Sequence, residues 1–203
     1  MKRFKFLVFW LAGLVYSSTA FAATYQIDKD HSSVSFKVKH LFSNTQGHFK
    51  EFDGVIDYDA DKPESLSAAG TVQVASIDTG VEQRDKHLKS ADFFNAEQFP
   101  AIVFKTSKVT DAAKDGARVE GTLLMHGVEK PVMLDVEIHG VGNDPWGNTR
   151  LGLTATTKIN RQDFGIQWNQ KLDSGGLLLG DEVAVTLEME GILTKETTNE
   201  KGK

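Results

Sequence analysis

The chain has 203 residues, of which 40% are hydrophobic, and its formal net charge is −5 at pH 7. It contains no cysteine, which excludes a disulfide-stabilised fold, and its length suits one domain. No run of basic residues follows the N-terminal segment, so nucleic acid and anionic membrane surfaces are poor candidate partners.

The first 22 residues are predicted to be a secretory signal peptide. Lys2, Arg3 and Lys5 precede an apolar run, and Ala20 to Ala22 has the A-x-A form of a cleavage site. The apolar run, from Phe6 to Val15, is shorter than the about 20 residues of a transmembrane helix, although a retained anchor is the alternative. Cleavage would remove three positive charges and change the net charge from −5 to −8. An exported, cysteine-free domain of this size fits the periplasm of a Gram-negative bacterium.

Alternation of apolar and polar residues predicts about eight β-strands. The first, from Ser33, places Val34, Phe36, Val38 and His40 on one face. The same pattern recurs in seven further apolar sets: Phe52, Ile56 and Tyr58; Val72 and Val74; Ile102, Phe104 and Thr106; Val119, Leu123 and Met125; Val132, Leu134, Val136 and Ile138; Leu151, Leu153, Ala155 and Ile159; Val183, Val185, Leu187 and Met189. Turn-rich segments separate them, which predicts an antiparallel sandwich or an up-and-down barrel. One sheet closed on itself is favoured, because closure removes exposed edges.

The strand pattern breaks between Asp78 and Pro100. Thr79 and Glu82 have the spacing of a capping box, and a short helix is predicted over Val81 to Lys89. A further helical turn could follow around Phe93 to Glu97, before the next strand. We therefore expect a helical insert, around residues 79–98, between two strands.

No motif predicts catalysis or a metal site. Asp30 to Ser33 contains the residue types of a Ser-His-Asp triad, but neighbouring residues on a strand point to opposite faces. No His, Cys or carboxylate spacing is typical of a metal centre. His40 shares the inward face of its strand, where it is either a buried, hydrogen-bonded histidine or a ligand contact.

Two arginines stand near aspartates in the sequence: Arg84 beside Asp85, and Arg161 two residues before Asp163. Each could form an arginine–carboxylate pair that fixes the helix against the barrel. Alternatively, each could place a cation near the barrel mouth, where it would hold a polar or anionic headgroup. Both interpretations remain open.

Five motifs together resemble the YceI-like family of periplasmic lipid-binding proteins. They are DHSSVSFKVKH with the following GHF, SIDTGVEQRDKHLKSADFF, the FP pair at residues 99–100, GTLLMHGVEKPV, and INRQDFGI. The resemblance extends from about Tyr25 to Ile192. It implies an extended, eight-stranded, antiparallel, lipocalin-like barrel whose hollow core takes the tail of a polyisoprenoid, such as an isoprenoid quinone or a polyprenyl phosphate.

Positions within these motifs indicate the site residues. We expect seven of them at the tunnel wall or its mouth: His40, Phe42, Phe49, Phe94, Phe104, Met125 and Trp168. The polar candidates for the headgroup end are Arg84, His87 and Arg161. No catalytic residue, metal or cofactor is expected.

The expected domains are a signal peptide (1–22), a YceI-like barrel (23–194) and a disordered polar tail (195–203). The resulting hypothesis is a periplasmic binding or carrier protein for an isoprenoid lipid, without stable membrane insertion, and with a homodimer compatible with its acidic surface. The alternatives are an enzyme acting on a lipid or quinone headgroup, and a stress-related structural protein with a filled core.

Overall fold

The computed structural model describes residues 23–173 and 175–194, so the predicted signal peptide and polar tail lie outside the described residues. Within this part, the chain forms one antiparallel sheet and one α-helix, α1 (Glu82–Lys89). The strands are β1 (Ala23–Ile27), β2 (Ser33–His40), β3 (Ser43–Phe49), β4 (Phe52–Asp59), β5 (Lys62–Gln73), β6 (Ile77–Asp78), β7 (Ala101–Ala113), β8 (Gly116–Met125), β9 (Val128–Asn143), β10 (Thr149–Asn160) and β11 (Leu179–Leu193).

The sheet closes into the predicted eight-stranded barrel. The short strands are successive parts of longer ones. β1 and β2 both pair with β11. In the next layer of pairing, β4 pairs with β1 and β3 with β2, and then β5 pairs with β4 and β6 with β3. From β5 onward, each strand pairs with the next along the chain through β7, β8, β9, β10 and β11. The pairing of β11 with β1 closes the ring, so the prediction of an up-and-down barrel is confirmed.

The predicted alternation matches the observed burial, with three strands missed: β1, β3 and the two-residue β6. β1 and β3 gave too weak a signal, because β1 has five residues and β3 reads SNTQGHF, with one large apolar side chain. Breaks in the paired strands occur where the chain forms short 3-10 helices, at Lys29–His31 and Val74–Ser76. These interruptions allow long strands to bend around the barrel.

The two ends of the barrel differ. At the end where β1 starts, buried side chains fill the interior, so we call it the closed end; they include Tyr25, Tyr58, Ala117, Ile138 and Leu151. At the other end, α1 and the segment after it lie across the barrel, and we call it the helix end. A second buried cluster fixes that segment to the barrel, formed by Phe93, Met125, Phe164 and Ile166.

The predicted capping box at the start of α1 is wrong. Val81, not Thr79, precedes the helix, because the chain turns at Gly80 with φ of +75°. The Thr79 backbone N–H and hydroxyl both donate to Asp85 Oδ1, at 2.9 and 2.5 Å. Asp85 therefore fixes the start of the helix. The further helical turn predicted after α1 is instead a series of hydrogen-bonded turns.

Candidate functional site

A cavity of about 710 Å³ occupies the interior of the barrel and reaches the helix end. Its wall consists mainly of inward apolar side chains from the strands: Val34, Phe36 and Val38; Ile56; Leu66; Ile102 and Phe104; Val119 and Leu123; Val132 and Leu134; Leu153 and Ile159; Val183, Val185 and Leu187. The filled closed end bounds it, so the interior is a deep apolar pocket rather than a channel through the barrel.

The barrel is hollow partly because aromatic rings lie against glycines of the wall. Phe36 packs over Gly47, where an added Cβ would be only 2.5 Å from the ring. Phe104 packs over Gly121 in the same way, and a Cβ there would overlap the ring. Rings that lie against the backbone leave the centre of the barrel free.

The structure brings together all but one of the expected site residues. Those that line the cavity are His40, Phe49, Arg84, His87, Phe94, Phe104, Met125, Arg161 and Trp168. Phe42 does not: it lies in the turn between β2 and β3, and its side chain is fully exposed. Phe42 therefore does not line the tunnel wall, because the chain turns at Leu41 (φ +50°) before β3 begins, and its expected place at the mouth stays a prediction.

His87 lies among aromatic rings at the helix end of the cavity. Its ring centroid is 4.9 Å from that of Phe93 and 5.1 Å from that of Trp168, both in edge-to-face geometry. His87 Nε2 is 2.9 Å from Asp92 Oδ2. Sequence reasoning missed Asp92, since it follows the helix and approaches His87 only because the chain reverses there.

Arg161 has a structural role. Only 4% of the residue is exposed, and its guanidinium donates to the carbonyl oxygens of Ile166, Trp168 and Gly180 at 2.8–2.9 Å. Its carboxylate partner is Asp181, at 2.9 Å, rather than Asp163. Arg161 thus forms an arginine–carboxylate pair, as one interpretation expects, but it holds the loop before β11 against the barrel rather than the helix.

Arg84 differs from Arg161 in its bonding. Its Nε donates to Thr79 Oγ1 at 2.7 Å and its Nη2 to the Thr79 carbonyl at 2.9 Å. Nη1 forms no hydrogen bond with the described part of the chain, and the expected ion pair with Asp85 is absent there. Arg84 is half-buried and lines the cavity, so it brings free guanidinium N–H donors to the helix end.

Sequence reasoning also missed several residues at the cavity mouth, among them Thr45, Val81, Gln83 and Leu178. They come from three separate segments: β3, the start of α1, and the loop before β11. No local pattern identifies them, because the closure of the barrel alone brings these segments together.

A charged network lies away from the cavity, at the closed end. Arg150 donates to Asp28, Asp144 and Glu190, and the side chains of Arg150, Asp28 and Asp144 are only 16%, 13% and 6% exposed. Hydrogen bonds from Arg150 hold the pKa values of Asp28 and Asp144 below their usual range. The bonds to these carboxylates raise the pKa of Arg150.

This network also decides whether a metal ion fits nearby. Asp28, His31 and Glu190 offer ligand atoms within 4.8 Å of one another. Arg150 already donates to both carboxylates, and Asp28 Oδ2 is 2.9 Å from His31 Nδ1. The group is therefore an ion-pair network built around arginine, a poor environment for a cation.

No helix in residues 23–173 and 175–194 is long and apolar enough to cross a bilayer.

Comparison with known proteins identifies the family. The model of the YceI-like domain matches residues 25–191. A UPF0312 protein of Azotobacter vinelandii is 38% identical over 184 residues, which cover 89% of this chain and 93% of that protein.

Solved structures share the fold. A Campylobacter jejuni YceI protein is 32% identical, with a TM-score of 0.68 over 84% of this chain and 98% of that one. A polyisoprenoid binding domain from Saccharophagus degradans, at 15% identity, shares the fold with a TM-score of 0.63 over 85% of this chain and 99% of that one. The domain match and the identity to these relatives show that this chain belongs to the YceI-like family.

Proposed function

We propose that this protein binds and carries an isoprenoid lipid, with the tail in the barrel cavity and no catalytic step. The observation that carries the proposal is the cavity itself: about 710 Å³, walled by apolar side chains, and filled at the far end. A long hydrocarbon is the class of ligand that such a pocket favours, because burial of apolar surface is worth about 25 cal/mol per Å².

The distribution of polar groups supports an orientation for the ligand. Arg84 and His87 lie at the helix end, whereas the deeper wall around Leu134 and Leu153 is apolar. Burial of a charge in that deeper region would be unfavourable. The tail would therefore point toward the closed end and the headgroup would remain near α1.

Arg84 is the residue best suited to contact the headgroup. Its unused N–H donors can bind either a quinone carbonyl oxygen or a phosphate oxygen, and the hydrogen bond would be stronger to the charged group. Arg161 is poorly suited, since its guanidinium is already bonded to the loop before β11. His87 would supply a further polar contact beside the headgroup.

Two further observations bear on the proposal. The Saccharophagus degradans protein of the same fold is described as a polyisoprenoid binding domain, which favours this ligand class. The cavity in the barrel interior counts against the alternative of a structural protein with a filled core. With the predicted signal peptide, the carrier would work in the periplasm.

The test is to identify what the protein carries. The full chain would be expressed with its signal peptide in a Gram-negative host, purified from the periplasm, and analysed by native mass spectrometry and lipid extraction. We expect a co-purifying isoprenoid lipid, and a rise in Tm when octaprenyl phosphate or a long-chain ubiquinone is added to delipidated protein. Consistently lipid-free protein, whose Tm is unchanged by either lipid, would rule the proposal out.

The hydrogen bond between His87 and Asp92 favours one second candidate, an enzyme acting on the headgroup. A carboxylate that orients an imidazole is the arrangement of a general base, and the His87 member of this pair lines the cavity. Chemical change of the bound lipid, detected by mass spectrometry and lost in His87→Gln while the lipid still binds, would establish the enzyme. Lipid that is chemically unchanged after long incubation would favour the carrier function over the enzyme.

A further inference from the structure

Among the large apolar side chains exposed toward the helix end, the three most exposed are Phe42, Leu177 and Val81. The exposed fraction is 100% for Phe42, 49% for Leu177 and 47% for Val81, and we call these three residues the mouth patch. Each is at or next to the cavity: Val81 lines it, and Leu177 precedes Leu178, which also lines it. Phe42 lies two residues after His40, a further lining residue.

Backbone hydrogen bonds hold two parts of the mouth patch side by side. The Leu41 N–H donates to the Leu178 carbonyl at 2.9 Å, and His40 pairs with Leu179 across the sheet. The β2–β3 turn therefore lies against the loop before β11. Phe42 and Leu177 each adjoin one of these bonded residues, so they project from neighbouring segments at one edge of the mouth.

The exposure of Phe42 calls for a function. A fully solvated phenylalanine contributes no packing to the barrel, and grouped exposed apolar residues are typical of a contact surface. Lys39 and Lys171 are exposed close by, and Lys171 faces Leu177 in an isolated β-bridge. Apolar side chains flanked by lysines are typical of surfaces that lie at the lipid–water interface.

The size of the patch favours a bilayer over a second protein. A phenylalanine contributes about 150–250 Å² of contact, and two half-exposed aliphatic residues contribute less. The sum falls well below the roughly 800 Å² per partner of a standard protein interface. A bilayer requires no such area, since a few apolar side chains can enter it and leave again. This contact is apolar, so it does not depend on the run of basic residues that the sequence lacks.

We propose that the mouth patch docks transiently on a phospholipid bilayer, so that the lipid passes between membrane and cavity without crossing water. Exposure of an isoprenoid tail to water is unfavourable in proportion to its area, and docking at the mouth removes that step. The inference rests on the proposed lipid-carrier function, but the membrane contact can be measured without a ligand.

The experiment compares three forms of the full chain: wild type, the double variant Phe42→Ser/Leu177→Ser, and Trp146→Ser. Trp146 is the matched control, because it is 78% exposed in the loop between β9 and β10, at the closed end. Each form is mixed with vesicles of phosphatidylethanolamine containing a minor fraction of phosphatidylglycerol. Flotation measures docking, and a fluorescent polyprenyl lipid in the vesicles reports the rate of extraction.

We expect wild type and Trp146→Ser to float with the vesicles and to extract the lipid at equal rates. The double variant should float less and extract the lipid about tenfold or more slowly. All three should bind the same lipid equally when it is supplied from detergent, because the substitutions lie outside the cavity. No flotation of wild type, or equal flotation of the double variant, would overturn the proposal.

Two other outcomes distinguish the proposals. Wild-type protein that floats but takes up no polyprenyl lipid, even from detergent, would disprove the carrier function and support the docking surface. A shift from dimer to monomer in the double variant, measured by light scattering, would assign the patch to a second copy of the chain and overturn membrane docking.

Discussion

The ring of Phe104 occupies the space that a side chain on Gly121 would need. The ring lies so close to the Gly121 backbone that an added Cβ would overlap it, and the Lys105 carbonyl would be 2.8 Å away on another side. Since Phe104 lines the cavity, this contact keeps a large aromatic group at the wall. A small residue on β8 thus helps to determine how much of the barrel interior is free.

Gly121→Ala should therefore reduce the cavity as well as the stability. The new methyl group would force the Phe104 ring toward the centre of the barrel, and overpacking of this kind lowers the free energy of unfolding by about 1–3 kcal/mol. Native mass spectrometry should show lower lipid occupancy. Gly142→Ala is the control, since nothing lies within 4 Å of a Cβ there. Lipid occupancy equal to that of the control would show that the Phe104–Gly121 contact does not set the cavity.

The barrel could be predicted from sequence because its signal is local. A side chain on every second residue faces the core, so apolar alternation identifies each strand without knowledge of its partner. β3 was not predicted, because small residues such as Gly47 face inward there and an aromatic ring from β2 covers them. Such contacts between strands depend on register, which no single strand reveals.

The polar contacts of the site were harder to predict. Arg161 pairs with Asp181, twenty residues away, although Asp163 is nearer in sequence. Thr79 has the spacing of a capping residue but bonds Asp85, since Gly80 turns the chain before the helix starts. In both cases the partner is set by the path of the backbone, and sequence proximity is a poor guide to it.

Phe94→Asp should weaken lipid retention more than it weakens folding. Phe94 is half-buried at the helix end of the cavity, with its ring centroid 6.0 Å from that of Phe49. A carboxylate there would face the bound lipid, and an unpaired charge in apolar surroundings is unfavourable, so we expect roughly tenfold or greater loss of lipid. Occupancy by native mass spectrometry and Tm of the delipidated protein provide the two measurements.

Two further variants serve as controls for the Phe94→Asp prediction. Phe94→Leu keeps the apolar surface and should keep the lipid. Phe93→Asp should mainly unfold the helix end, because Phe93 is only 7% exposed and packs in the cluster with Met125 and Phe164. Unchanged lipid occupancy in Phe94→Asp would count against a ligand in this part of the cavity.

The two cavity arginines should respond differently to removal of their charge. Arg161→Met leaves buried carbonyl groups without donors, at about 1–3 kcal/mol for each, so Tm should fall sharply. Arg84→Met loses two hydrogen bonds to Thr79 and should reduce stability by about 1–2 kcal/mol, while affinity for a polyprenyl phosphate falls roughly tenfold.

Lipid titrations followed by intrinsic fluorescence, together with thermal unfolding, measure both effects. Arg84→Lys is the matched control, because it retains a positive charge with fewer donors and should recover part of the affinity. Equal affinity for polyprenyl phosphate in Arg84→Met and wild type would show that Arg84 does not bind the headgroup. A small change in Tm for Arg161→Met would contradict its structural role.

Asp85, rather than Glu82, should control the stability of α1. Asp85→Ala removes the acceptor for both the N–H and the hydroxyl of Thr79, and we expect a loss of about 1–2 kcal/mol even though alanine favours helix. Hydrogen exchange at residues 82–89 should then become faster. Glu82→Ala should change stability by less than about 0.5 kcal/mol, because Glu82 is exposed and caps nothing. Equal effects of the two substitutions would restore the capping-box interpretation.

The Arg150 network should make the closed end sensitive to acid. Because the pKa values of Asp28 and Asp144 are lowered in the folded protein, their ion pairs stabilise it above about pH 4, and this stabilisation is lost as pH falls further. Arg150→Met should lower Tm at pH 7 and flatten the decline of Tm between about pH 5 and 2, since the carboxylates would then titrate nearer their unfolded pKa values. Arg118→Met is the control: its pair with Asp135 is about two-thirds exposed, so Tm should hardly change. An equally steep acid decline in Arg150→Met and wild type would show that other carboxylates govern the acid stability of the barrel.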